Sequence, residues 1–121
     1  MKIFKIVLLS LLTVSLVFSF AFAAGNVEKG KVLFNDPKFA GGIKACNECH
    51  LGGKGLEKSG MKKEFNIGGE KQMGIEEAVN YCIVHANKGK AIDPKSQEMK
   101  DIIVYIKSLK SEPKKMGYLN S

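Results

Sequence analysis

The stretch from Ala45 to Leu51, ACNECHL, constrains this chain more than any other. Cys46 and Cys49 stand three positions apart, and His50 follows the second thiol directly. On a helical turn, side chains at that spacing share one face. Two thiols so placed can form thioethers to the two vinyl groups of one porphyrin. A histidine next in the chain can then turn its imidazole toward the iron from one side. Cys-x-x-Cys-His is the attachment pattern of a c-type haem. A chain that carries it is expected to fold around a planar apolar group and not around its own side chains alone.

Other uses of the same residues leave something over. A redox dithiol at Cys46 and Cys49 gives His50 no role, and no thioredoxin-like strand precedes the motif. A short-loop disulfide between the two would suit an oxidising compartment. Cys46-x-x-Cys49 with Cys82-x-x-His85 has the spacing of a Cys₃His zinc site, but zinc would not need His50. One covalent haem c, held by Cys46 and Cys49 with His50 as the proximal axial iron ligand, uses the whole motif.

The N-terminus agrees with that chemistry. Lys2 and Lys5 precede an apolar run from Ile6 to Phe20, and Ala21-Phe22-Ala23 puts small residues where a signal peptidase reads. Residues 1–23 are therefore expected to be a signal peptide, and the protein periplasmic. Counted from Ile6 to Ala24, the run is just long enough to span a bilayer, so a retained membrane anchor is the alternative. Residues 24–121 then form one domain of about a hundred residues. Such a domain has a thin core and leans on a disulfide, metal or cofactor. There is no Trp to thicken it.

Every basic side chain is Lys, and removal of Lys2 and Lys5 lowers the formal charge from +7 to about +5. Without Arg there are no bidentate phosphate forks, and an exported chain rarely meets nucleic acid, so nucleic acid is not expected as a partner. The lysines read as solvated faces, or as a field that steers the protein toward an acidic redox partner.

Three helices are legible. "NVEKGKVLFND" starts at Asn26, a suitable N-cap, and ends near Asp36-Pro37. "IEEAVNYCIVHANKG" has an apolar stripe of Ile75, Ala78, Val79, Cys82 and Ala86, acids in its first turn, and Gly89 as its stop. The last helix follows Ser96 as N-cap, with Met99, Ile102, Ile103, Ile106 and Leu109 on one stripe. From Leu51 to Gly74 the chain is glycine-rich without a period. It reads as a long irregular loop, a length that suggests it wraps something. No strand is expected, and the tail after Pro113 should fray.

With these residues in view, residues 24–121 resemble a class I, cytochrome c-like monohaem domain. Gly30-x-x-x-Phe34 resembles that family's first helix, which crosses its last. "EMKDIIVYIKSLK", with Tyr105 at its centre, resembles the last helix. The resemblance implies an all-α fold of three or more short helices wrapping one haem. The family's usual Met ligand has no counterpart: the position nearest to it is Ile92. The segment "VNYCIVHANKGKAIDPKSQEMKDIIVYI" is similar to the end of the haem domains in the sulfur-oxidation (Sox) diheme cytochrome A subunit. There a Cys ligates the iron, and Cys82 stands in the matching place.

On the helical stripe Cys82 faces the core and His85 lies about sixty degrees away, at its edge. Cys82 is then either inert packing or the sixth iron ligand. His85, Met73, Met61 and Met99 are the alternatives. Thiolate ligation should lower the potential and Met ligation raise it. No carboxylate pair with a base, nucleophile elbow or phosphate loop is legible. The expected function is transfer of single electrons between redox partners, with no catalysis. The rival is a haem subunit of a sulfur-compound-oxidising enzyme that uses Cys82.

Overall fold

The computed structural model describes residues 24–109 of the chain. Residues 1–23, expected to be a signal peptide, and the tail after Pro113 lie outside these residues. Among the described residues no helix is long and apolar enough to cross a membrane.

The described chain is mostly helical, with four α-helices, three 3-10 turns and a two-stranded sheet. Helix α1, Val27–Asn35, begins where the Asn26 side chain accepts a hydrogen bond from the Lys29 N–H at 2.9 Å. It stops ahead of Pro37, as the restriction on residues before proline requires. Helix α2, Cys46–Cys49, is a single turn closed at its start by Glu48, whose Oε1 accepts from the Ala45 N–H at 2.8 Å. Helix α3, Ile75–His85, has Glu76 and Glu77 in its first turn, where the helix dipole favours them. Helix α4, Gln97–Ser108, opens at Ser96, whose hydroxyl accepts from the Met99 N–H at 3.2 Å.

Two details differ from the sequence reading. The segment from Leu51 to Gly74 is not wholly irregular. Strands β1, Phe65–Ile67, and β2, Glu70–Gln72, pair antiparallel, with Phe65 opposite Gln72. Gly68 and Gly69 both have positive φ, at 62° and 85°, so they form the two-residue turn that a tight hairpin needs. Three-residue strands are too short to display a period of two, which is why the pattern was not legible. The protein is therefore mostly helical with a small sheet, not all-α. The second difference is at the end of α3. The left-handed residue there is Lys88, at φ 61°, and not Gly89. Gly89 is needed for space: a Cβ on it would stand 2.9 Å from the Ala40 carbonyl oxygen and 3.1 Å from the Ile83 side chain.

Helices α1 and α4 pack closely. Gly30 lies against the Asp101 carbonyl and the Tyr105 side chain, where a Cβ would collide with both. One turn later Phe34 meets Tyr105, ring centroids 5.2 Å apart and tilted by 59°. The Asp101 carboxylate, only 3% exposed, accepts from the Asn26 N–H at 2.7 Å and from Gln97 Nε2 at 2.8 Å. A buried carboxylate with two donors thus ties the start of α1 to α4. Phe39, Ile75, Val79, Ile83, Met99, Ile102, Ile103 and Ile106 form the core. Ile83 is fully buried, although the apolar stripe read from the sequence ran through Cys82 and Ala86 instead.

The crossing sets up an opposition of two effects at Gly30. Alanine would gain about 1 kcal/mol of helix propensity. Its methyl would meet backbone that cannot rotate away, and overpacking costs up to about 3 kcal/mol. Gly30→Ala should therefore lose about 2 kcal/mol in denaturant unfolding. A gain in stability would show that α1 can lift off α4 freely.

Candidate functional site

Beside the core lies a cavity of about 650 Å³, lined by α2, α3, α4, the end of α1, the hairpin and the glycine-rich turns. Its size falls in the range of about 300–1,000 Å³ typical of small-molecule and cofactor sites. Phe34, Phe65, Ile75, Val79, Ile102 and Ile106 give it apolar walls. Cys46, Cys49, His50 and Cys82 all line it as well.

The motif is built locally. One turn of α2 separates Cys46 from Cys49, and the His50 N–H donates to the Cys46 carbonyl at 3.0 Å. The Asn47 side chain accepts from the Gly52 N–H at 2.8 Å and holds the following turn. That turn uses Gly52 and Gly53, both with positive φ. His50 Nδ1 lies 3.1 Å from the Lys54 carbonyl oxygen. A carbonyl only accepts, so this contact needs the proton on Nδ1, and in the neutral imidazole that leaves the lone pair on Nε2. That is the tautomer of a metal-ligating histidine, oriented by a second partner. Gly55 lies beside the ring, and a Cβ there would be 3.9 Å from Nδ1.

The three thiols differ. Cys49 is exposed, and Cys46 and Cys82 are half-buried. Burial pushes the Cys46 thiol up, partly offset by an N–H from the Asn87 amide, with the neighbouring Cys49 charge raising it further. Burial also pushes the Cys82 thiol up, and the charges of Cys46 and Cys49 add to this. All three sulfurs belong to residues that line the same cavity.

The sequence candidates for a sixth ligand separate clearly. Of Cys82, His85, Met61, Met73 and Met99, only Cys82 lines the cavity. Met61 and Met73 are 79% and 61% exposed on the surface, whereas Met99 is fully buried in the core. The exposed His85 stacks its ring on Tyr81, with centroids 4.2 Å apart. Ile92 packs on the core, and Asn80 clasps its backbone by accepting from its N–H and donating to its carbonyl, both at 2.9 Å. The Cys₃His zinc arrangement is not assembled, since His85 does not line the cavity. Among the described residues no three His, Cys, Asp or Glu side chains gather closely enough to hold a metal ion.

Sequence reading missed Ser59, Asn87 and Phe65, which also line the cavity. Asn87 follows a helix end and Phe65 sits on a strand too short to detect. Nothing in the linear pattern marks either as inward-facing. No family model, curated protein or solved structure matches this chain.

These environments set an order of reactivity. In the chain produced without haem, Cys49 should be alkylated before Cys46 and Cys82 near neutral pH. The thiolate is the nucleophile, and a raised thiol needs a higher pH to form it. The rates at Cys46 and Cys82 should therefore level off at higher pH than an ordinary thiol, and denaturant should abolish the difference. Peptide mass spectrometry after timed alkylation reads this directly; equal rates in the folded chain would contradict the burial described.

Proposed function

We propose that the protein is an exported, periplasmic c-type monohaem cytochrome that carries single electrons between redox proteins. The observation that supports this best is the convergence of Cys46, Cys49 and His50 on one apolar cavity, with His50 Nε2 left free to bind. Haem c bound there would supply Fe(III)/Fe(II) one-electron chemistry. Cys46 and Cys49 would tether it through thioethers, and His50 Nε2 would be the proximal ligand. The Lys54 carbonyl would hold the imidazole in the binding tautomer. Phe34, Ile75, Val79, Ile102 and Ile106 would exclude water from the group. The crossing of α1 and α4 at Gly30, with Phe34 on Tyr105, supports a cytochrome c-like fold for residues 24–121. The positive charge favours an acidic redox partner.

Cys82 is the sixth ligand we favour, because it is the one candidate among the five that lines the cavity. Two protein ligands would saturate the iron and leave no position for substrate, as suits a carrier and not an enzyme. The same observation supports the second reading, a haem subunit of a sulfur-compound-oxidising enzyme in which Cys82 itself takes part in the chemistry.

The exported, purified protein should show a c-type α-band on reduction, and its absence would refute the haem reading. The oxidised protein should lack the near-infrared Met-to-iron charge-transfer band. Cys82→Ala should change the oxidised spectrum and raise the potential, since the thiolate donates electron density. A Met band, or a Cys82→Ala spectrum identical to that of the parent, would remove Cys82 from the iron and sink the sulfur-chemistry reading with it.

A further inference from the structure

Asn87 is a buried amide with an unusual partner. It is only 3% exposed, and it lines the cavity. Its backbone is fixed from two sides. The Asn87 N–H donates to the Cys82 carbonyl at 3.0 Å, which anchors it to the end of α3. Its carbonyl accepts from the Ile43 N–H at 2.9 Å, which anchors it to the segment leading into α2. So held, the side chain reaches the motif: Asn87 Nδ2 donates to Cys46 Sγ at 3.4 Å. Among the described residues no other side chain donates to a cysteine sulfur in the cavity. Burying an amide costs free energy unless it is hydrogen-bonded, so this contact is what the burial of Nδ2 is built around.

We propose that Asn87 is a positioning residue for covalent attachment of the cofactor at Cys46. This rests on the haem reading above and adds a role to a residue outside the Cys-x-x-Cys-His motif. Attachment at Cys46 adds its S–H across a vinyl C=C. An S–C bond forms to one vinyl carbon, the thiol proton ends on the other, and no oxidant or reductant is consumed. The half-buried Cys46 sulfur must point into the cavity for this bond to form. The Asn87 N–H takes one lone-pair direction of the sulfur and fixes the side chain, leaving the remainder of the sulfur to react. A thioether sulfur still accepts weakly, so the contact survives in the product. Exposed Cys49 has no such partner, which makes the effect specific to one of the two links.

The test uses the full chain, exported in a host that attaches c-type haem, and counts thioethers by mass spectrometry of the haem peptide. Asn87→Asp keeps the size and the backbone contacts but replaces the donor with an acceptor. It should lower the doubly linked fraction about fivefold, the weight of one net hydrogen bond. The residual haem should hang from Cys49 alone, and the retained vinyl should move the reduced α-band to longer wavelength. A purely structural loss is separated by a second background. In Cys46→Ala, where only Cys49 can react, adding Asn87→Asp should leave the haem yield unchanged. An equal fall in both backgrounds would mean that Asn87 merely supports the fold, and would overturn the proposal. Two intact thioethers in Asn87→Asp would overturn it as well, with the haem reading still standing. A parent protein without covalent haem would overturn both.

Discussion

The fold turns on the fact that helix α4 is asked to serve two surfaces at once. Ile102 and Ile106 belong to the packed core and also face the cavity, and Ile75 and Val79 of α3 do the same. A domain of this size cannot bury every apolar side chain against its own kind. Here the shortfall is concentrated in one place and lined with thiols and a histidine. The close approach at Gly30 makes this possible. By bringing the backbone of α1 onto Asp101 and Tyr105, it fixes α4 from behind without using α4's inward isoleucines. The buried Asp101 carboxylate then locks the same crossing by holding the Asn26 N–H. The wall of the cavity formed by α4 is thus held from its far side by contacts that lie outside the cavity, at Gly30 and Asp101.

What could be read from the residues alone divides along physical lines. Asn26 and Ser96 cap helices through their own side chains within three residues, so the linear order carries the information. The apolar stripe of α4 is long enough for its period to stand out. The hairpin is not, because each strand has one inward pair at most and the turn is made by glycines that also serve many other purposes. Likewise a stripe reading of α3 includes Ala86 and omits Ile83. The helix faces two apolar neighbours at once, the cavity and the core, and a single hydrophobic axis cannot represent both.

The site shows the same division. Cys46, Cys49 and His50 are adjacent in sequence, and their convergence is a property of one helical turn. Cys82 comes to the cavity from α3, a helix elsewhere in the chain, and its position on a stripe and the resemblance of the segment around it were what hinted at this. The methionines illustrate why composition cannot choose a ligand. Met61 and Met73 belong to the segment that wraps the cavity, yet the 3-10 turn and the end of β2 carry them outward. Met99 is one position beyond reach in a different sense: α4 commits it wholly to the core.

The same geometry explains why the loop before α4 does not bring Ile92 to the cavity. In that loop the chain must pass close to α3, and Asn80 takes both backbone groups of Ile92 in a paired exchange of hydrogen bonds. Such a two-point clasp fixes the loop's depth and turns the Ile92 side chain onto the core. Even a Met at this position would start from a backbone committed elsewhere, and it would have to break the clasp or abandon the core to reach the cavity. Breaking it would strand a half-buried amide at Asn80, at a cost of about 1–3 kcal/mol. On the haem reading proposed above, the ligand role passes from a loop to a helix. Cys82 on α3 is held by the regular backbone on either side of it, and a thiol so placed meets whatever fills the cavity without any rearrangement of the chain.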